Sequence, residues 1–142
     1  MLKYWLWLTT RKGLSQWEQL AVLRHFGTPE AAYCAGRGEL KAVEGLKDPS
    51  PLEDKTLDEP EEILNACYKK QIAILTYQDA SYPGRLRSMD DPPLVLDYQG
   101  TVPAIDTIPA IAVVGTRKAS AYGLLQAKRL GYELGKCGVI VV

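Results

Sequence analysis

Apolar residues in the first seventy positions recur at helical rather than alternating intervals, and strong stop signals divide them into short segments. The opening Met1-Leu2-Lys3-Tyr4-Trp5-Leu6-Trp7-Leu8 halts at Thr9-Thr10-Arg11-Lys12, which predicts a buried first helix. Ser15-Gln16-Trp17-Glu18 is a capping box, in which hydroxyl and carboxylate exchange hydrogen bonds with each other's backbone amides. Trp17, Leu20, Ala21, Leu23 and Phe26 follow at helical spacing, and Gly27 supplies a helix end that tolerates a left-handed backbone. Thr28-Pro29 is an N-cap followed by a first-turn proline, so a second helix begins at once and a tight helical hairpin results. Gly36-Arg37-Gly38 is expected to end that helix, with a third short one from about Glu39 to Glu44 before Gly45. Asp48-Pro49-Ser50-Pro51 breaks the chain. Asp58-Glu59-Pro60-Glu61-Glu62 then opens a helix that closes on Lys69-Lys70, acids at its positive end and bases at its negative end.

After Gln71 the pattern changes to short apolar runs. Ile72 to Leu75 and Leu94 to Tyr98 read as strands, with Tyr82-Pro83 and Asp91-Pro92-Pro93 as turn or extended signals between them. Thr101 to Pro109 is a loop. Ile111-Ala112-Val113-Val114 ends at Gly115 and has the uninterrupted apolar character of a strand covered on both faces. A helix from about Ser120 to Lys136 carries Leu124, Ala127, Leu130, Gly131 and Leu134 on one stripe, and Val139 to Val142 begins another strand. Strand, helix and strand in that order predict a parallel βαβ unit. The predicted class is α/β: an all-α domain over residues 1–70, then the start of a parallel sheet over 71–142.

Composition removes several function classes. Seventeen basic residues balance seventeen acidic ones, and 46% of the chain is apolar, which fits neither a disordered chain nor a uniformly basic polyanion binder. Three widely spaced cysteines, Cys34, Cys67 and Cys137, make no disulfide framework and no CxxC metal knuckle, and are expected to be buried thiols in a reducing cytoplasm. No apolar run approaches the ~20 residues that span a bilayer. The neutral total conceals a gradient, however. Residues 41–70 hold five basic against eight acidic residues and residues 71–110 two against five, whereas residues 111–142 hold five against one.

That positive segment surrounds the turn where binding chemistry is expected. A strand entering a helix through glycine aims backbone amides and the positive helix end at one point, a ready anion site. A dinucleotide fingerprint would read GxGxxG, but Arg117 occupies its second glycine position and Ser120 its third, so NAD or FAD bound in the usual way is disfavoured. Arg117 instead offers a planar fork for phosphate, Lys118 a second cation, and the Thr116 and Ser120 hydroxyls neutral donors. Tyr122 either stacks on a base or buttresses the turn. The bland alternative is a plain strand-to-helix turn with a solvated arginine. Elsewhere, Gly36-Arg37-Gly38 has the spacing of a phosphate-holding hairpin but favours a packing or docking role. The three tryptophans are expected in the core, His25 on the surface or in packing, and the Asp58 to Glu62 acids in helix capping rather than metal binding. No catalytic residue, metal site or cofactor site is expected.

The ordered set Tyr82-Pro83, Leu86, Asp91-Pro92-Pro93-Leu94-Val95-Leu96, Gly100, Ile111-Ala112-Val113-Val114-Gly115-Thr116-Arg117, Ser120, Tyr122-Gly123 and Gly138-Val139-Ile140-Val141-Val142 resembles the DprA/Smf family of DNA-processing proteins. The N-terminal helices, with Phe26-Gly27-Thr28-Pro29-Glu30-Ala31, are similar to that family's small SAM-like or helix-hairpin-helix domain. The resemblance implies an extended Rossmann-like sheet that binds single-stranded DNA, protects it in natural transformation and helps load a RecA-type recombinase, without catalysis. It carries a DNA-phosphate role onto Gly115, Thr116 and Arg117, with Lys118, Ser120, Tyr122 and Gly123 beside them. It also implies a homodimer, formed through a part of the protein that would follow Val142, and on this reading the chain is the N-terminal portion of a protein of two to three domains. A Rossmann-like nucleotide phosphoribohydrolase is the alternative, since such enzymes also place a glycine turn over a phosphate.

Overall fold

The computed structural model describes residues 2–142. The chain is a mixed α/β molecule of two compact units, Met1–Thr101 and Val102–Val142.

In the first unit six helices precede a two-stranded sheet: α1 (Leu2–Thr10), α2 (Gln16–Phe26), α3 (Pro29–Cys34), α4 (Arg37–Lys41), α5 (Ser50–Glu53) and α6 (Asp58–Lys70). The predicted start and stop signals act as drawn. Ser15 Oγ accepts from Glu18 N at 3.3 Å, the Glu18 carboxylate accepts from Ser15 N at 2.9 Å, and Gly27 closes α2 at φ +76°. Thr28 Oγ1 caps α3 through Ala31 N at 3.2 Å, with Pro29 in the first turn. Helix α6 has the predicted bounds, acids first and Lys69-Lys70 last. Two starts differ from expectation. Gly36 becomes the N-cap of α4, because Glu39 reaches back to its amide at 2.8 Å, so the helix begins at Arg37. In the Pro-rich break, Asp48 accepts from Ser50 N at 2.9 Å and α5 starts there, Pro51 being tolerated in a first turn that needs no amide from it.

These helices close around one core. Trp7, Leu8, Leu20, Val22, Leu40 and Leu52 are fully buried, each contributing about 1.5–3 kcal/mol by leaving water. Arg11 is buried with them, and its charge is met rather than stranded. Its Nε donates to Trp7 O at 3.2 Å and its Nη1 to Asp54 Oδ2 at 2.7 Å, while Trp7 Nε1 donates to Asp54 O at 2.7 Å. The Thr56 amide and hydroxyl, followed by Arg11, hold the Asp54 carboxyl below its ordinary range. The Ser15 donors and the Lys47 amide do the same for Glu18, which thereby ties the loop before α5 to the start of α2.

Strands β1 (Ala73–Thr76) and β2 (Val95–Tyr98) pair antiparallel, with Leu75 opposite Leu96. They therefore form a ribbon within the first unit, not the beginning of a parallel sheet. Their connection is pinned by side chains: Asp79 accepts from the Thr76 amide and hydroxyl at 2.6 and 2.8 Å, and the buried Tyr82 donates to Pro93 O at 2.6 Å. Burial pushes the Tyr82 phenol up. A single turn, α7 (Gly84–Arg87), lies in this connection and places Arg87 over the Tyr77 and Tyr82 rings.

The second unit is the predicted strand, helix and strand: β3 (Ala110–Ile111), α8 (Ala121–Lys136) and β4 (Ile140–Val141). The strands are parallel, Ala110 opposite Ile140 and Ile111 opposite Val141. Both are shorter than the apolar runs suggested, although Val113 N still donates to Val142 O at 2.7 Å. No residue of this unit is buried.

Candidate nucleic-acid interface

The turn between β3 and α8 is built by two hydroxyls. Thr116 Oγ1 accepts from Lys118 N at 3.0 Å, folding the loop back on itself, and Ser120 Oγ accepts from Gly123 N at 3.1 Å as the N-cap of α8. Each hydroxyl uses a lone pair inside the protein and keeps its own proton to donate outward. Ser120 has the extended backbone of an N-cap, with φ −68° and ψ 161°, so the amides of Ala121 and Tyr122 stand at the positive end of a sixteen-residue helix.

Around this turn the seven predicted residues fall within nine consecutive positions, Gly115 to Gly123, and all but Gly123 are exposed. A side chain at Gly115 would meet nothing within 4 Å, so the backbone there is open to an approaching group. Among the described residues Arg117 and Lys118 make no ion pair, leaving two cations free for a partner. Tyr122 is 71% exposed and, among the described residues, has no ring neighbour. An open cavity of about 610 Å³ runs from Val113 and Gly115 along α8 to Leu130, more apolar than the turn itself. Lys128 and Arg129 were not singled out by motif; only the charge count of 111–142 signals them. The one acid of that segment, Glu133, pairs with Lys136 at 3.9 Å, and Lys128 and Arg129 have no acidic partner among the described residues. Chemically the turn presents hydroxyls, amides and unneutralised cations, a set suited to anionic oxygen.

The other candidates separate clearly. Arg37 of Gly36-Arg37-Gly38 donates to Glu53 at 2.9 Å and so serves to connect α4 with α5, both glycines having ordinary backbone angles. Cys67 is buried, but Cys34 and Cys137 are exposed: Cys34 ends a short helix and Cys137 caps one that no layer covers. Trp5 and Trp7 are buried as predicted, whereas Trp17 is half exposed, because the first turn of α2 points it outward over Gly45. His25 is exposed, edge-on to Phe26 at 4.7 Å. Among the described residues no group of acids, cysteines and histidine converges as a metal site. No helix is long and apolar enough to cross a membrane.

A turn from a strand into a capped helix on a parallel βαβ unit aims backbone amides and the positive helix end at one point, a geometry that favours anions in general. Residues 73–142 match the family model described as DNA recombination-mediator protein A. The chain is 28% identical to Protein Smf of Synechocystis sp. over 98% of its own length and 36% of that relative. It is 33% identical to the DNA processing protein DprA of Bacillus subtilis over 54% of its length and 26% of the relative. The chain belongs to the DprA/Smf family, and it spans about a third or less of the length of these curated relatives.

Proposed function

We propose that this chain binds single-stranded DNA through the Gly115–Gly123 turn and serves, as its family membership suggests, in DNA recombination during natural transformation. The observation that carries this reading is the pair of unneutralised cations, Arg117 and Lys118, beside two hydroxyls whose lone pairs are used internally and whose protons are free. Phosphate oxygens accept from the Arg117 fork, the Thr116 and Ser120 hydroxyls and the first amides of α8; Gly115 and Gly123 keep the backbone accessible. Such contacts carry no base information, so binding is insensitive to sequence and falls with salt. Tyr122, with its ring exposed, stacks on a base next to the held phosphate.

On this reading the protein is a non-enzymatic carrier. Protection of the bound strand, delivery to a RecA-type recombinase in the cytoplasm and action as a homodimer complete the proposed role. Titration of labelled oligo-dT at several salt concentrations tests it: binding should be tight at low salt and should weaken steeply as salt rises. Arg117→Ala should weaken binding about tenfold and lower the salt slope by about one. No binding at low salt would overturn the function, and an Arg117→Ala variant equal to its parent would overturn the site. Release of free base from a nucleoside monophosphate would instead point to a phosphoribohydrolase.

A further inference from the structure

The half-exposed Trp17 is out of keeping with the other two tryptophans and sits in a defined place. Gly45, at φ +88°, lies under its six-membered ring: a Cβ there would overlap Cη2 and Cζ3 of the indole. The glycine thus holds the indole against the backbone while half of the side chain stays open. Along α2, Ala21 is one turn away and Arg24 two turns away on the same face, with His25 beside it. These residues, with Glu44 from the segment before Gly45, line an open cavity of about 370 Å³.

The composition of this cavity is that of a nucleotide contact. An aromatic face backed by protein offers a stacking surface to any base. The Glu44 carboxylate accepts from N–H groups, and every base carries at least one on the edge that pairing occupies in a duplex. Arg24 supplies a cationic donor for the adjoining phosphate, with the His25 ring beside it, and among the described residues neither is engaged in an ion pair. An apolar protein segment would leave Glu44, Arg24 and His25 without partners, so the mixed lining favours a nucleic acid.

We propose that Trp17, Glu44 and Arg24 form a second single-strand contact in the helical unit, holding one unpaired base and its phosphate. This rests on the reading of the chain as a single-stranded DNA binder and adds a site that selects unpaired over paired bases. Titration of the 142-residue chain with oligo-dT, read by both anisotropy and intrinsic indole fluorescence, tests it. Oligo-dT should quench the exposed indole, whereas the matching duplex should not. Trp17→Ala should abolish the quenching and weaken binding about tenfold. Trp17→Phe should abolish the quenching yet retain most of the affinity, and Arg24→Gln, at an exposed position, should lower the salt slope by about one. Absence of quenching in the parent, or unaltered affinity in both Trp17→Ala and Arg24→Gln, would overturn the proposal even where Trp17→Ala folds poorly. Loss of binding in Arg117→Ala alone would leave the turn as the site and remove this one; loss in the Trp17 and Arg24 variants alone would do the reverse.

Discussion

The two compact units are built from equally clear helical signals, yet only one of them closes a core. Helix α2 and helix α8 both begin at a serine whose hydroxyl accepts from the third residue of the helix. Around α2, Leu20, Val22 and Leu23 are 0–3% exposed, whereas on α8 Leu124, Leu125, Leu130 and Tyr132 are each at least half exposed. Capping and periodicity are therefore enough to make a helix, but burial requires a second apolar layer. In the first unit α1, α3 and α6 provide it. Within Val102–Val142 two paired strands of two residues each do not.

Substitutions should widen this contrast in order of size. The largest effect is expected from Leu40→Ala, which empties a fully buried position and should cost about 2–5 kcal/mol in denaturant unfolding. Leu125→Ala on α8, at 63% exposure, should lie within about 0.5 kcal/mol of the parent in the same measurement. Next comes Arg11→Met, which removes the guanidinium bonds to the Trp7 and Asp54 carbonyls and to the Asp54 carboxylate and should cost about 1–3 kcal/mol. Replacing Gly45 by Ala should also destabilise, since the ring of Trp17 must move and the left-handed backbone is strained for alanine; a shift in indole emission would report the first cause. Ser120→Ala should cost about 1 kcal/mol of α8 helicity, visible as faster amide exchange in its first turn.

The acid limb sharpens the same comparison. Glu18 and Asp54 both have folded-state carboxyl pKa values below their unfolded ones. Each therefore contributes stability that is fully present above its unfolded value and is lost as pH falls through the folded one. Unfolding of the first unit should become easier below about pH 4.5, near the ordinary glutamate value. Glu18→Gln should flatten that dependence.

Much of this was legible in the residues because the signals are local. The capping box at Ser15, the Thr28-Pro29 start and the acid-to-base gradient of α6 each specify an end by bonds within one turn. Non-local facts were not legible. That β1 and β2 would pair with each other, antiparallel, depends on Asp79 and Tyr82 pinning the intervening chain, and no periodicity encodes that. Exposure of Cys34, Cys137 and Trp17 depended on which layers were present to cover them. At the turn after β3, residue types and spacing named the donors. The division of labour in each hydroxyl, one lone pair inward and one proton outward, came from geometry.

The knot of Trp7, Arg11 and Asp54 also bears on how the first unit is assembled. Its bonds join residues 43 and 47 positions apart, while the helical hairpin beside it forms from neighbours. Closing that long loop costs chain entropy before any bond rewards it. The tie to Asp54 thus belongs to the late, slow side of folding. Once made, it retards the first step of unravelling, since α1 cannot leave without stripping a buried guanidinium of its partners.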